Sequence, residues 1–261
     1  MSFDLSIRDA LVVDGSGEPP RISDVHIEGD RIARLGPGPT GKREIVAAGR
    51  ALSPGFVDVH AHDDAALLNT PDLPFKLLQG VTSVVIGNCG FSLAPLVLGG
   101  AEPPGNASLF PGFASRFEDL AGYERAFGAA RPAVNAASLV GHNAIRARVM
   151  GDEERAPSGA ELAEMSALLR RALEQGAVGF STGLIYRPGR AATLEEIIEV
   201  ARPLAEFSAV YATHMRSEGD RLLESVEETL SVAEAVGCRT QISHHKSGGR
   251  RNWGKVKASL A

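Results

Sequence analysis

Cysteine is scarce in this chain: Cys89 and Cys238 are the only two in 261 residues, and they sit in unlike contexts. That argues against a disulfide framework and makes a reducing cytoplasm the default setting. Basic residues are outnumbered, with 27 Lys and Arg against 32 Asp and Glu and a net charge of -5. No positive field therefore invites nucleic acid or an anionic membrane surface. Long apolar runs are missing too, and none approaches the roughly 18 residues of a membrane span. The first residues, MSFDLSIRDALVVDG, carry a charge every few positions, unlike the basic start and unbroken apolar stretch of a secretory signal. What is present is 44% hydrophobic and 23% charged, ordinary for a globular protein with a real core.

Up to about Ala51 the pattern is short and strand-like: Leu5–Ile7, Ala10–Val13, Asp24–Ile27, Arg31–Leu35 and Glu44–Val46, punctuated by Gly and Pro. This predicts a small β-sheet layer in residues 1–55. His26 lies in one of these runs and reads as an ordinary strand residue. From residue 56 to 261 the rhythm changes to apolar strands alternating with helical segments, the mark of βα units on a parallel sheet. The expected strands are Phe56–Val59, Thr82–Ile86, Val134–Val140, Val178–Ser181, Val210–Thr213 and Thr240–Ser243. The expected helices run over Leu73–Gln79, Gly159–Glu174, Leu194–Phe207 and Arg221–Val236, with another beginning before Ala261. About six βα units in a row fit either an incomplete (β/α)8 barrel or an open doubly wound sheet. The Gly-, Pro- and Ser-rich stretch from Leu98 to Glu118 reads as a long insertion of the kind that forms lids or binding loops.

Metal-capable side chains recur at one phase of this pattern. His60 and His62 follow the first of these strands, Cys89 the second, His214 the fifth and His244 the sixth. In a barrel the C-terminal strand ends converge on one mouth, so four strands would aim imidazole or thiolate at a common point. His60 and His62 are two apart and can share a face. A lone histidine after a strand is more often structural, and a lone cysteine more often a small buried hydrophobe. The shared phase is what favours a metal. Imidazole and thiolate together select zinc over magnesium or calcium. Cys238 reads as core, His245 as pointing away from the pocket, and His142 as equally suited to the rim of the mouth or to the scaffold.

The stretch Ser53 to Asp63, SPGFVDVHAHD, resembles the first-strand signature of the amidohydrolase superfamily. Within it, the runs Gln79 to Ser92, Gly179 to Tyr186, Tyr211 to Ser217 and Ile242 to Lys246 resemble the N-acyl-D-amino-acid deacylases, over nearly the whole chain. The resemblance implies an incomplete metal-dependent hydrolase (β/α)8 TIM barrel with part of a small N-terminal β-sandwich. It implies one tightly held Zn2+ on Cys89, His214 and His244. His60 and His62 would join the cysteine in a weaker second site, or only hydrogen-bond nearby. Lys246 corresponds to a cation that receives the substrate carboxylate, and Tyr186 to a pocket residue beside the substrate. Ring-opening relatives use a carbamylated lysine from strand four; the segment Ala177 to Tyr186 has none, which argues against cyclic imides.

The implied reaction is hydrolysis of an N-acyl-D-amino acid, a small-molecule substrate, to a carboxylate and a D-amino acid. In that family the proton acceptor is an aspartate on strand eight, expected here beyond residue 261; Asp63 and Asp64 match a different position. These residues are thus expected to be a fragment, inactive alone, with the remainder of the polypeptide closing the barrel. The competing readings are a metal-binding protein without catalysis, and a related amidohydrolase acting on another N-acyl amino acid, such as an acyl-D-glutamate or acyl-D-aspartate, or on a dipeptide.

Overall fold

Glycine or proline follows closely after most of the early apolar runs, too soon for a helix, and the result is a local sheet. The computed structural model describes residues 3–96, 109–110, 117–151 and 154–261, and the chain divides into two compact units, Met1–Phe56 and Val57–Ala261. In the first unit, strands β1 (Leu5–Val12), β2 (Arg21–Glu28), β3 (Arg31–Leu35) and β4 (Arg43–Val46) lie in the order β3-β2-β1-β4, and β5 (Ala51–Leu52) also pairs with β1. Neighbours β1/β2 and β2/β3 are antiparallel, while β4 and β5 run parallel to β1. The runs Leu5–Ile7 and Ala10–Val13 belong to one strand: the register shifts between Ile7 and Ala10, and Asp9 takes φ 54°. Such a bulge leaves an extra residue unpaired and bends the strand without ending it. Ala10, Val12, Val25 and Ala47 form the small core. His26 is fully buried, its Nδ1 2.9 Å from Ser6 Oγ and its Nε2 3.1 Å from the Gly36 carbonyl.

In the second unit, six strands alternate with helices: β6 (Phe56–Asp58), β7 (Val81–Ile86), β8 (Asn135–Gly141), β9 (Gly179–Gly183), β10 (Val210–His214) and β11 (Arg239–Ile242). They line up strictly in sequence order from β6 to β11, with parallel registers such as Val210↔Gly179 and Val210↔Arg239. A doubly wound sheet reverses its strand order at a switch point. This sheet has no reversal, so the choice between the two architectures falls to the singly wound (β/α) barrel type, with six strands present.

Helix α1 (Ala66–Asn69) and helix α2 (Pro74–Leu77) are single turns, shorter than the expected Leu73–Gln79. Helix α3 (Leu120–Ala130), which the apolar pattern did not announce, starts where Asp119 accepts from the Gly122 amide. Helix α4 (His142–Met150) begins directly off β8. It was also unannounced, because its buried residues include His142, Asn143 and Arg146 instead of an apolar stripe. Helix α5 (Gly159–Glu174) matches its expected span, opened by a reciprocal capping box between Ser158 and Glu161. Its face of Met165, Leu168, Leu169, Ala172 and Leu173 is buried, worth roughly 1.5–3 kcal/mol for each large side chain. The single helix expected over Leu194–Phe207 is broken into α6 (Leu194–Ala201) and α7 (Pro203–Glu206). Pro203 has no amide proton to donate, and its ring collides with the carbonyl four residues back. Helix α8 (Leu222–Val236) stops at Gly237 in the left-handed conformation. A 3-10 turn (Arg250–Lys255) and α9 (Val256–Ser259) follow β11. Most of the Leu98–Glu118 insertion lies outside the described residues. Among those described, no helix is long and apolar enough to cross a membrane.

Candidate metal centre

Each donor is placed by the turn that ends its strand. Past β6, the His60 amide donates to Asp58 Oδ1 at 3.1 Å and the Ala61 amide to the Val85 carbonyl at 2.9 Å, which fixes the His60/His62 segment against β7. Lys76 reinforces it, with Nζ 2.6 Å from Asp58 and 3.0 Å from Asp63. Past β7, the chain turns through Gly87 (φ 74°), Asn88, Cys89 (φ 54°) and Gly90 (φ 80°). The Ser181 hydroxyl on β9 grips this turn at both ends, donating to the Gly87 carbonyl and accepting from the Gly90 amide. His214 is the last residue of β10. Past β11, the Ser243 amide donates to the Thr213 carbonyl at 2.9 Å, and His244 follows with φ 38°. Cys89 and His244 thus share the left-handed region, which is uncommon for residues other than glycine and clusters at functional sites.

The five donors converge. Cys89 Sγ lies 3.2 Å from His60 Nε2 and 3.7 Å from His244 Nε2. Ring centroids are 5.4 Å apart for His60–His62, 4.9 Å for His60–His244 and 4.4 Å for His214–His244. Two groups form, His60/His62/Cys89 and Cys89/His214/His244, and within each the donor atoms lie within 4.8 Å of one another. Cys89 belongs to both.

Burial sets the protonation. It pushes His62 down to about 4, helped by the neighbouring His60 and His244, and His214 down to about 4 against the pull of Glu218. His60 is lowered for the same first reason. These imidazoles are therefore neutral near pH 7, the form that offers a lone pair. The Cys89 thiol is pushed up to about 12 by burial, and a cation against Sγ would reverse that. Two further observations test whether a metal fits. His60 Nδ1 and His62 Nδ1 are buried without a hydrogen-bond partner, a state that buried polar atoms seldom keep. The donor set of one sulfur and four imidazoles is also the kind that suits zinc. The residues fit the ion.

Tyr186 and Lys246 flank the donors. Tyr186 Oη is 3.4 Å from His214 Nδ1, and its ring packs on Phe91 at 5.4 Å. Lys246 Nζ is 3.0 Å from His244 Nδ1. All seven residues named from the sequence are thus brought around one point. His142 is not at the rim. It is fully buried, with Nε2 2.9 Å from Glu196 Oε1, and Arg146 Nε meets the same oxygen at 2.9 Å. His245 faces away toward Ser259 Oγ at 2.9 Å. Cys238 is half-buried against the core. Asp64 is buried, its carboxyl pushed up to about 7 by that burial.

One residue of the site went unnoticed in the sequence. Glu218, four positions after His214, sets Oε1 2.7 Å from His244 Nδ1 and Oε2 2.6 Å from Lys246 Nζ. Its only signal is a carboxylate shortly after a strand-end histidine.

Residues 43–257 match the Amidohydrolase family. The chain is 44% identical to D-aminoacylase of Alcaligenes xylosoxydans xylosoxydans, an alignment covering 99% of this chain and 54% of the relative. It is 45% identical to N-acyl-D-glutamate deacylase of the same organism, over 99% of this chain and 53% of that one. The crystal structure of N-acyl-D-glutamate deacylase from Bordetella bronchiseptica, complexed with zinc and a phosphonate inhibitor that mimics the tetrahedral intermediate, superimposes with a TM-score of 0.95. That pair is 41% identical, covering 100% of this chain and 55% of the other. The chain spans about half the length of these relatives. Because the match takes in every strand end that carries a donor, this chain belongs to the amidohydrolase family.

Proposed function

We propose that this chain carries the metal-binding half of a zinc-dependent hydrolase that cleaves the amide of N-acyl-D-amino acids. The observation that carries the reading is Cys89 standing at the junction of two donor groups, where the family resemblance implies a metal-bound thiolate in place of the lysine of ring-opening relatives. Cys89, His214 and His244 would hold the tight ion, and His60 and His62 with Cys89 a weaker one. When bound, zinc supplies Lewis acidity, polarising a carbonyl and acidifying water toward a pKa of about 7. Lys246 presents an ammonium two residues from His244, suited to the α-carboxylate of the substrate. Tyr186, between Phe91 and His214, offers a phenol beside the substrate.

The proton acceptor is a separate matter. Asp63 is paired with Lys76, Asp64 is buried with its carboxyl pushed up to about 7, and Glu218 is committed to His244 and Lys246. We assign that role to an aspartate on strand eight, outside residues 1–261. The remaining strands would complete the barrel from the two sheet edges, β6 and β11; exposed Val57 in β6 and Val59 just after it support such cover. The first unit would form one layer of a composite β-sandwich. Two unpaired cysteines support a cytoplasmic setting.

The test is a panel of N-acylated D- and L-amino acids given to the zinc-loaded full-length polypeptide, residues 1–261 together with the segment that completes the barrel. Hydrolysis confined to D-substrates, lost with chelator and restored by zinc, is expected. Near-equal identity to relatives named for different substrates leaves the side-chain preference to the same panel. Absence of turnover on every acyl-D-amino acid would sink the reading, as would equal turnover of hydantoins.

A further inference from the structure

We infer that Glu218 is a positioning residue that fixes which ring nitrogen of His244 carries the proton, and so keeps the other free for a metal. The inference rests on the metal reading above. A neutral imidazole has one proton for two nitrogens, and a ligand nitrogen must be the bare one. In His244 the inward nitrogen is Nε2, 3.7 Å from Cys89 Sγ. The proton must then sit on Nδ1.

Nδ1 meets two charged groups that want opposite things. Glu218 Oε1, 2.7 Å away, only accepts and requires Nδ1–H. Lys246 Nζ, 3.0 Å away, only donates and requires Nδ1 bare. Left alone with Lys246, the ring would turn its proton inward to Nε2, where it blocks coordination. Glu218 decides the contest: it also engages the ammonium through Oε1 at 2.7 Å and Oε2 at 2.6 Å, drawing the lysine's donors onto its own oxygens.

The carboxylate is well held for this task. Its side chain is 14% exposed. Its carbonyl accepts from the Gly248 amide at 2.6 Å, tying the loop after β10 to the loop after β11. Upstream, the Ser217 amide donates to Ser225 Oγ, and Arg216 is bound by Glu228 and by the Ala192 carbonyl.

The test is zinc affinity, measured on the metal-stripped full chain against a chromophoric chelator. Glu218→Ala should weaken binding about 10- to 100-fold. Glu218→Gln keeps an acceptor for Nδ1–H and should bind close to wild type. Adding Lys246→Met to the alanine variant removes the competing donor and should recover much of the loss. Wild-type affinity in Glu218→Ala, with affinity lost in His244→Ala, would overturn the positioning role and leave the metal centre standing. Unchanged affinity in His244→Ala as well would remove the centre and the inference together. If the alanine variant does not fold, the Gln variant still decides: a loss as large as that predicted for alanine refutes the inference.

Discussion

A β-carbon placed on Gly183 would lie 2.0 Å from the carbonyl oxygen of Cys89. The end of β9 and the turn bearing the thiol are packed backbone on backbone, and only hydrogen fits between them. Gly183→Ala should push the Cys89 turn outward, at about 1–3 kcal/mol of stability, and weaken zinc binding in parallel. Urea melts and chelator competition on one preparation check this; a variant that melts and binds like wild type would contradict it.

Cys89 serves both donor groups, whereas His62 serves one. Cys89→Ala should therefore abolish metal retention through both groups, and His62→Ala should leave one tightly held ion per chain. Metal analysis after gel filtration distinguishes the two. A full zinc complement in Cys89→Ala would rule out the shared-thiolate arrangement.

Protonation gives a signed pH dependence. Burial pushes the metal-free Cys89 thiol up to about 12, and His62 and His214 down to about 4. At pH 7 to 8 the thiol must lose a proton to bind an ion, while these two imidazoles are already bare. Zinc affinity should thus rise with pH by about tenfold per unit on account of the thiol, with no added dependence from His62 or His214. Calorimetry in buffers of different ionisation enthalpy would register the released proton, and Cys89→Ser should lose that signal. No proton release on binding would refute the assignment.

The buried group of His142, Arg146 and Glu196 is predicted to be scaffold. Glu196 Oε1 accepts from both partners, so Glu196→Ala strands charge in the core, where breaking a buried pair costs about 3–5 kcal/mol. Chemical denaturation measures the loss. A change under about 1 kcal/mol would mean that the remaining contacts of Arg146 to the Pro188 and Arg155 carbonyls suffice.

The strand ends were legible because apolar runs bounded by Gly and Pro are local signals, and the donors were legible because they follow those runs at one phase. The capping box at Ser158 and the stop at Gly237 are equally local. What escaped depends on neighbours remote in sequence. Glu218 matters only because β10 and β11 are adjacent, bringing residue 218 to residues 244 and 246. Helix α4 escaped because its buried face is polar, with His142 and Arg146 held by Glu196 some fifty residues away. The break at Pro203 was readable from the proline alone, yet the apolar periodicity on both sides masked it. The Asp9 bulge split one strand into two apparent ones for the same reason: periodicity is blind to a single left-handed residue.

Cys89 and His244 occupy backbone positions that glycine would fill with less strain. Replacing either with glycine would relax the chain and erase a donor in the same step. Selection for a sturdier scaffold and selection for a bound ion therefore pull these two codons in opposite directions. In a lineage that had given up its metal, they are where drift toward glycine or asparagine should appear earliest.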